Sequence, residues 1–192
     1  MSWTDAPVLS GRHVALRPLT RDDAPALVEA VAPLVGQFTT TVPVAPDDSW
    51  FDRVWTESAA GRAMAFAVLD AEGRISGTTR YMRMAPAHGR LEIGGTLYAP
   101  RVQRTGLNTE AKRLLLGHAF EAMSANVVQL RTDWLNHRSR RAIERLGAKM
   151  DGVLRNHLVM PDGHLRDTAV YSIVATEWPG VRANLDRLLD RE

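Results

Sequence analysis

The segment Gln103-Arg104-Thr105-Gly106-Leu107-Asn108-Thr109-Glu110-Ala111 brings together the groups needed to hold a phosphate. It stands at a helix entry, where successive backbone amides have no intrahelical acceptor and the helix dipole adds partial positive charge. An anion placed there meets a cradle of N–H donors. Gly106 lets the backbone approach it closely, and Thr105, Asn108 and Thr109 add side-chain donors. The same residues also suffice for a plain loop in which Thr or Asn caps a core helix. Local sequence leaves both readings open.

The elements around this segment give it a context. Leu107, Ala111, Leu114, Leu115, Ala119, Ala122 and Met123 recur at helical spacing and predict a helix over 107–123. Before it, Ala63–Leu69, Ile75–Met84 and Leu91–Tyr98 read as strands at antiparallel-hairpin spacing, with turns at 70–73 and 86–89. Gly94-Gly95 weakens the last of these and permits a bulge or a close backbone approach, or serves only as a kink. After the helix, Val127–Leu135 is a strand, and Asn136 caps a short helix ending at Leu146-Gly147. A hairpin of Val153–Val159 and Thr168–Val174 turns at Pro161-Asp162-Gly163, and Trp178-Pro179 opens a closing helix. The chain begins with a strand over His13–Leu19, a helix capped by Thr20 and a second helix capped by Ser49. Between those helices, Phe38–Asp48 is a Thr- and Pro-rich loop.

The order β-α-α-β-β-β-α-β-α-β-β-α specifies an α/β (α+β) fold. A strand, helix and strand set among hairpins imply one parallel crossover in an otherwise antiparallel sheet. That topological break falls at the start of the 107–123 helix, and such breaks form ligand crevices at strand C-termini. Cradle and crevice therefore coincide.

Composition narrows the function classes. The 192 residues form one domain over 1–192, with 45% hydrophobic and 24% charged residues. A net charge of +2 does not suggest bulk nucleic-acid binding. The absence of cysteine excludes disulfides and a cysteine nucleophile, and suits a reducing cytoplasm. The six histidines show no metal-ligand spacing, so no metal site is expected. No signal peptide or bilayer-spanning run is read, which makes the expected location cytoplasmic and excludes a membrane partner.

The chain resembles the GNAT superfamily of N-acetyltransferases, specifically the branch of bacterial ribosomal-protein N-terminal (Rim-type) acetyltransferases. The resemblance runs from His13-Val14-Ala15-Leu16-Arg17-Pro18-Leu19 to Tyr171-Ser172-Ile173 and Glu177-Trp178. It includes Gln103-Arg104-Thr105-Gly106-Leu107-Asn108 in place of the family's Gln/Arg-x-x-Gly-x-Gly/Ala pyrophosphate motif, and Asn136–Ala148 after the next strand. Two residues depart from the pattern: Asn108 replaces the usual small residue, and Arg104 stands where a further Gly is common. The resemblance implies a mixed, mostly antiparallel seven-stranded sheet flanked by helices, with a V-shaped splay between its fourth and fifth strands.

It also implies roles. Acetyl-CoA is the cosubstrate, its pyrophosphate held by Gln103, Arg104, Thr105, Gly106, Asn108 and Thr109. Its pantetheine arm lies along the Leu91–Tyr98 strand, with Leu97 and Tyr98 among the contacts, and beside Asn136. Arg141 is a candidate for the 3′-phosphate by charge-assisted bonding. Glu92 is the general-base candidate, since an ammonium must lose a proton before it can attack. Ser139 is the remaining proton donor for the leaving thiolate, because positions 137–147 contain no Tyr. The acceptor is a protein N-terminus or a small amine, its pocket shaped by the Phe38–Asp48 loop, the Trp50–Trp55 helix and the Pro161–His164 turn. Relatives often dimerise through the late strands, which makes a homodimer an expectation here. The alternative is a non-catalytic acyl-CoA-binding or interaction module on the same fold, motivated by Asn108 and the missing Tyr.

Overall fold

The computed structural model describes residues 3–36, 41–160 and 162–191. Its strands are β1 (Leu9–Ser10), β2 (Ala15–Pro18), β3 (Met64–Leu69), β4 (Ile75–Ala85), β5 (Arg90–Tyr98), β6 (Val127–Asp133), β7 (Lys149–Val159) and β8 (Leu165–Val174). Its α-helices are α1 (Ala24–Val31), α2 (Ser49–Ala59), α3 (Gly106–Gly117), α4 (His137–Arg145) and α5 (Trp178–Leu189). The strands form one sheet in the order β1-β2-β3-β4-β5-β6-β8-β7, antiparallel throughout except where β5 meets β6. The expected parallel crossover is thus the β5-α3-β6 unit.

The sheet has eight strands rather than seven. The addition is β1, whose two residues pair with Leu16 and Ala15. Two residues carry no readable alternation, so pairing partners rather than pattern define this strand. Other boundaries also differ. Asp48, not Ser49, caps α2, its Oδ1 accepting the Trp50 N–H at 2.8 Å. Thr20 leads a short 3-10 turn before α1, and the Asp23 carboxylate receives both its N–H and its hydroxyl at 2.8 and 2.9 Å. The helix expected over 107–123 is α-helical only to Gly117 and continues as a π turn over His118–Ala122.

Strand alternation sends side chains to two faces. Phe66, Tyr81, Leu91 and Ile173 turn toward Leu115 and Leu116 of α3 and Val181 and Leu185 of α5. Ala65, Ala67 and Leu97 turn toward Leu27 and Val31 of α1 and Trp50, Phe51 and Val54 of α2. Small residues on that second face admit the large aromatic side chains of α2. No helix among the described residues is long and apolar enough to cross a membrane.

One polar contact fixes α3 against the edge of the sheet. Glu110 belongs to the helix entry in sequence, but its carboxylate reaches away to the β1–β2 turn. Its Oε1 accepts the Arg12 N–H at 2.8 Å, and its Oε2 accepts those of His13 and Val14 at 2.5 and 3.0 Å. A Cβ at Gly11 would stand 2.2 Å from the Glu110 Cδ, so glycine is needed for this approach. Glu110→Ala leaves three turn amides without that acceptor and is expected to lower stability by about 1–3 kcal/mol in urea unfolding. Glu110→Gln, which keeps one acceptor oxygen, is expected to recover part of the loss.

Candidate functional site

The site begins where a ladder ends. β5 and β6 pair at only three positions, Arg90↔Val127, Leu91↔Val128 and Glu92↔Gln129. Beyond Glu92 the strands diverge, leaving residues 93–98 and 130–133 to line the two sides of a slot of about 880 Å³. β5 also bulges against β4, where the register shifts between Thr78 and Arg80. Gly95 adopts φ +57° there, and an added Cβ would lie 2.4 Å from the Arg80 Nε. Glycine satisfies both the left-handed backbone and the close approach.

The α3 entry opens onto this slot. Thr105 is the N-cap, accepting the Leu107 N–H at 3.3 Å and donating its hydroxyl to the Val102 carbonyl at 2.8 Å. Gly106 is the first helical residue and is buried. Arg104 lines the slot with φ +64°, a left-handed conformation in which glycine is less strained than any side-chain-bearing residue. Gln103 ties the loop to its neighbours: its Nε2 donates to the Tyr98 carbonyl at 2.8 Å, and its Oε1 accepts from Arg138 at 2.5 Å. Leu97, Tyr98, Gln103, Arg104, Thr105 and Asn108 all line the slot.

Across from them stands α4. Asn136 caps it, its Oδ1 accepting the Ser139 N–H at 3.0 Å, and both residues line the slot. Arg138, Ala142 and Arg145 lie on the same face. Arg141 does not; it is exposed and off the lining, because one helical step of about 100° turns it outward. Thr109 is likewise not brought to the slot. It is fully buried, and its hydroxyl accepts from Arg145 at 2.7 Å.

Glu92 lies beneath the surface of the slot. It is 4% exposed, bonded to Arg83 Nη1 at 2.6 Å, and its Oε2 is 3.3 Å from Arg131 Nε. It is not one of the lining residues. The carboxylate that does line the slot is Asp133, at the end of β6. Its Oδ1 accepts the Leu135 N–H at 2.8 Å, and its Oδ2 stands 3.7 Å from Arg166 Nε. Of the segments expected to form an acceptor pocket, Thr41 and Trp50 line the slot; Leu34, which precedes them, lines it too. Phe38, Thr39, Thr40 and Pro161 lie outside the described residues, and Asp162, Gly163 and His164 are exposed and off the lining.

Several lining residues are not singled out by sequence reasoning. Lys112 of α3 is buried, its ammonium donating to Thr79 and Thr96 hydroxyls at 3.2 and 2.8 Å. Burial pushes its pKa down to about 7. Its position is a signal: it falls between Thr109 and Leu116, on the buried stripe of the helix. Arg80, Arg131 and Arg166 give no comparable signal, because cross-strand register places them. The Arg80 guanidinium lies 5.2 Å from the Trp50 ring centroid. Burial lowers the pKa of both Arg80 and Arg166. Six buried side-chain N or O atoms among the described residues have no hydrogen-bond partner, and four belong to the slot: Arg80 Nε, Tyr98 Oη, Arg131 Nε and Arg166 Nε. Two of these face carboxylates without an aligned hydrogen bond, Arg131 Nε at 3.3 Å from Glu92 and Arg166 Nε at 3.7 Å from Asp133.

Comparison with known proteins agrees with this architecture. Residues 13–149 match the profile of the acetyltransferase (GNAT) domain. The chain is 29% identical over 109 residues to YdaF of Bacillus subtilis (strain 168), named as a candidate ribosomal N-acetyltransferase; the match spans 57% of this chain and 58% of that protein. The chain therefore spans little more than half the length of this curated relative. A candidate acetyltransferase from T. thermophilus superimposes with a TM-score of 0.82 at 38% identity, over 98% of this chain and 100% of that one. Mycobacterium smegmatis RimJ, solved in complex with CoA-disulfide, shares the fold with a TM-score of 0.80 at 23% identity, over 97% of this chain and 95% of its own. The profile covers most of the chain, including the splayed strands and the α3 entry, and the chain belongs to the GNAT acetyltransferase family.

Proposed function

We propose that the protein transfers the acetyl group of acetyl-CoA to a primary amine, on a protein N-terminus or a small molecule. The observation that carries this reading is the coincidence of the β5–β6 splay with the α3 N-terminus in one slot. The lining residues suit the coenzyme. Free amides at the start of α3 match a pyrophosphate, and Arg104, Arg138 and Arg145 supply positive charge for phosphates. The unladdered edge of β5 offers backbone donors and acceptors to the amides of a pantetheine arm, as an added strand would. The Asn136 amide lies beside that path, and the partnerless Tyr98 hydroxyl is a further donor.

Acetyl-CoA supplies an acetyl thioester that the amine attacks directly, so a chain without cysteine loses nothing. The protein's part is to juxtapose the two and manage protons. A protonated amine entering the slot meets Asp133 on its wall and Glu92 beneath it. In this reading Asp133 takes the proton directly or Glu92 takes it through water, and Ser139 donates to the departing sulfur. The ion pairs of Glu92 favour one alternative, in which Glu92 is structural and the domain binds acyl-CoA without transferring it.

Thiol release from acetyl-CoA, followed with a panel of amines and peptide N-termini, tests the proposal. Transfer to at least one amine class is expected, with kcat reduced about 100-fold or more in whichever of Glu92→Gln and Asp133→Asn removes the base. Coenzyme binding with no transfer, and no effect of either variant, would establish the binding module instead.

Lys112 gives a separate expectation for stability. Its pKa is about 7 in the folded chain against an ordinary 10.5. Between those values the unfolded chain holds a proton that the folded chain has released, so stability rises with pH across this window. Lys112→Met removes the buried ammonium. Its stability relative to the parent, from urea melts, is expected to be most favourable at or below pH 7 and to decline toward pH 10.

A further inference from the structure

We propose that the acceptor amine also carries a carboxylate, held by Arg80, Arg131 and Arg166. This rests on the acetyl-transfer reading and names the class of acceptor within it. The slot is lined from both faces of the sheet. α3 and α4 contribute on the face of the α3–α5 core, and Trp50 of α2 contributes on the other. The three arginines belong to the α2 face. Arg80 places its guanidinium over Trp50. Arg131 alternates with Leu130, which belongs to the α3–α5 core, and so points the opposite way. Arg166 shares its face with Thr168, the cross-strand partner of Asp133. The coenzyme cradle is on one side, and these cations are on the other.

Their chemistry is specific. Each of the three has a buried Nε–H without an aligned acceptor: that of Arg131 is 3.3 Å from Glu92 and that of Arg166 is 3.7 Å from Asp133, while Arg131 also donates through Nη2 to Gln129. Arg83, behind Glu92, brings the guanidinium groups to four, against the two carboxylates Glu92 and Asp133. A buried guanidinium whose donors are only partly satisfied is costly, and a carboxylate supplies two oxygens suited to its fork. Glu92 commits an oxygen to Arg83, and Asp133 commits one to the Leu135 amide, so the two carboxylates do not exhaust the donors. A polyamine or aminoglycoside would set positive charge against positive charge. An amine with a nearby carboxylate matches both signs: its carboxylate meets the arginines, and its ammonium meets Asp133. A free amino acid and a peptide N-terminus followed by an acidic residue share this chemistry.

The test uses the full chain saturated with acetyl-CoA and pairs of acceptors that differ only in the carboxylate. One arm compares amino acids with their carboxamides; the other compares peptides having Asp or Glu at position 2 with their Asn or Gln counterparts. The acid member is expected to show a KM at least about ten-fold lower in one arm, and the arm that responds identifies the source. Arg80→Gln and Arg166→Gln should each bring the pair toward equality by raising KM for the acid, with the acetyl-CoA Kd from calorimetry unchanged. Equal use of acid and amide in both arms by the parent protein would overturn the proposal, whether or not the variants fold. Variants that weaken both members alike would overturn it as well. Coenzyme binding with transfer to no amine would instead remove the acetyl-transfer reading, and this acceptor assignment with it.

Discussion

Everything in the site follows from the loss of pairing between β5 and β6 after Glu92. A sheet interior normally uses every backbone donor and acceptor, and two neighbouring strands that part within it must be held apart. The fork is braced at its apex. Glu92 occupies the last paired position, opposite Gln129. From there its carboxylate reaches Arg83 on β4 and Arg131 on β6, so one buried anion ties three adjacent strands together. β4 accommodates this with irregular register on both sides of the apex, between Thr78 and Arg80 and between Met82 and Ala85. Arg83 itself takes φ +49°. The same glutamate thus has a structural reason to be there before any catalytic one.

Below the apex the slot is dominated by cations, which is unusual for a buried space. Lys112, Arg80 and Arg166 are all shifted toward their neutral forms by burial. Such groups oppose folding unless something charged or strongly polar offsets them. Lys112 is partly offset by Thr79 and Thr96, which also bond to each other at 2.8 Å across β4 and β5. The arginines are offset less completely. A slot of this kind gives up stability in the free protein and regains it on binding anionic ligands. Acetyl-CoA on one face and a carboxylate-bearing amine on the other are suited to that electrostatic arrangement.

The parts of the site legible in sequence are local ones. A helix entry with Thr105 and Gly106, and a capped helix at Asn136 and Ser139, show themselves through residue type and spacing over a few positions. Leu97 and Tyr98, which the family resemblance implies, lie on the slot lining. Thr109 and Arg141 lie off the slot because a single helical step decides between slot and exterior, and a run of polar residues does not fix that step. The arginines of β4, β6 and β8 depend on register among strands distant in sequence, and on a bulge that Gly94-Gly95 only suggests. The partners of Glu92 are invisible for the same reason: Arg83 lies nine residues away across a hairpin, and Arg131 lies across a crossover.

Helix α3 shows how tightly such a site constrains one element. Thr105 caps its first turn, with the buried Gly106 as the first helical residue. Glu110 leaves in another direction to hold the β1–β2 turn. Lys112 lines the slot and donates to Thr79 of β4 and Thr96 of β5, while Leu115 and Leu116 fill the core and Arg113 pairs with Asp186 of α5 at 2.7 Å. Successive residues are separated by about 100°, so each of these directions is reached once per turn and none can be moved independently. A shift of α3 that improved one contact would rotate the others out of reach. The position of the α3 N-terminus relative to the splayed strands is therefore set by contacts in several directions around the helix, including the Glu110 contact at the edge of the sheet.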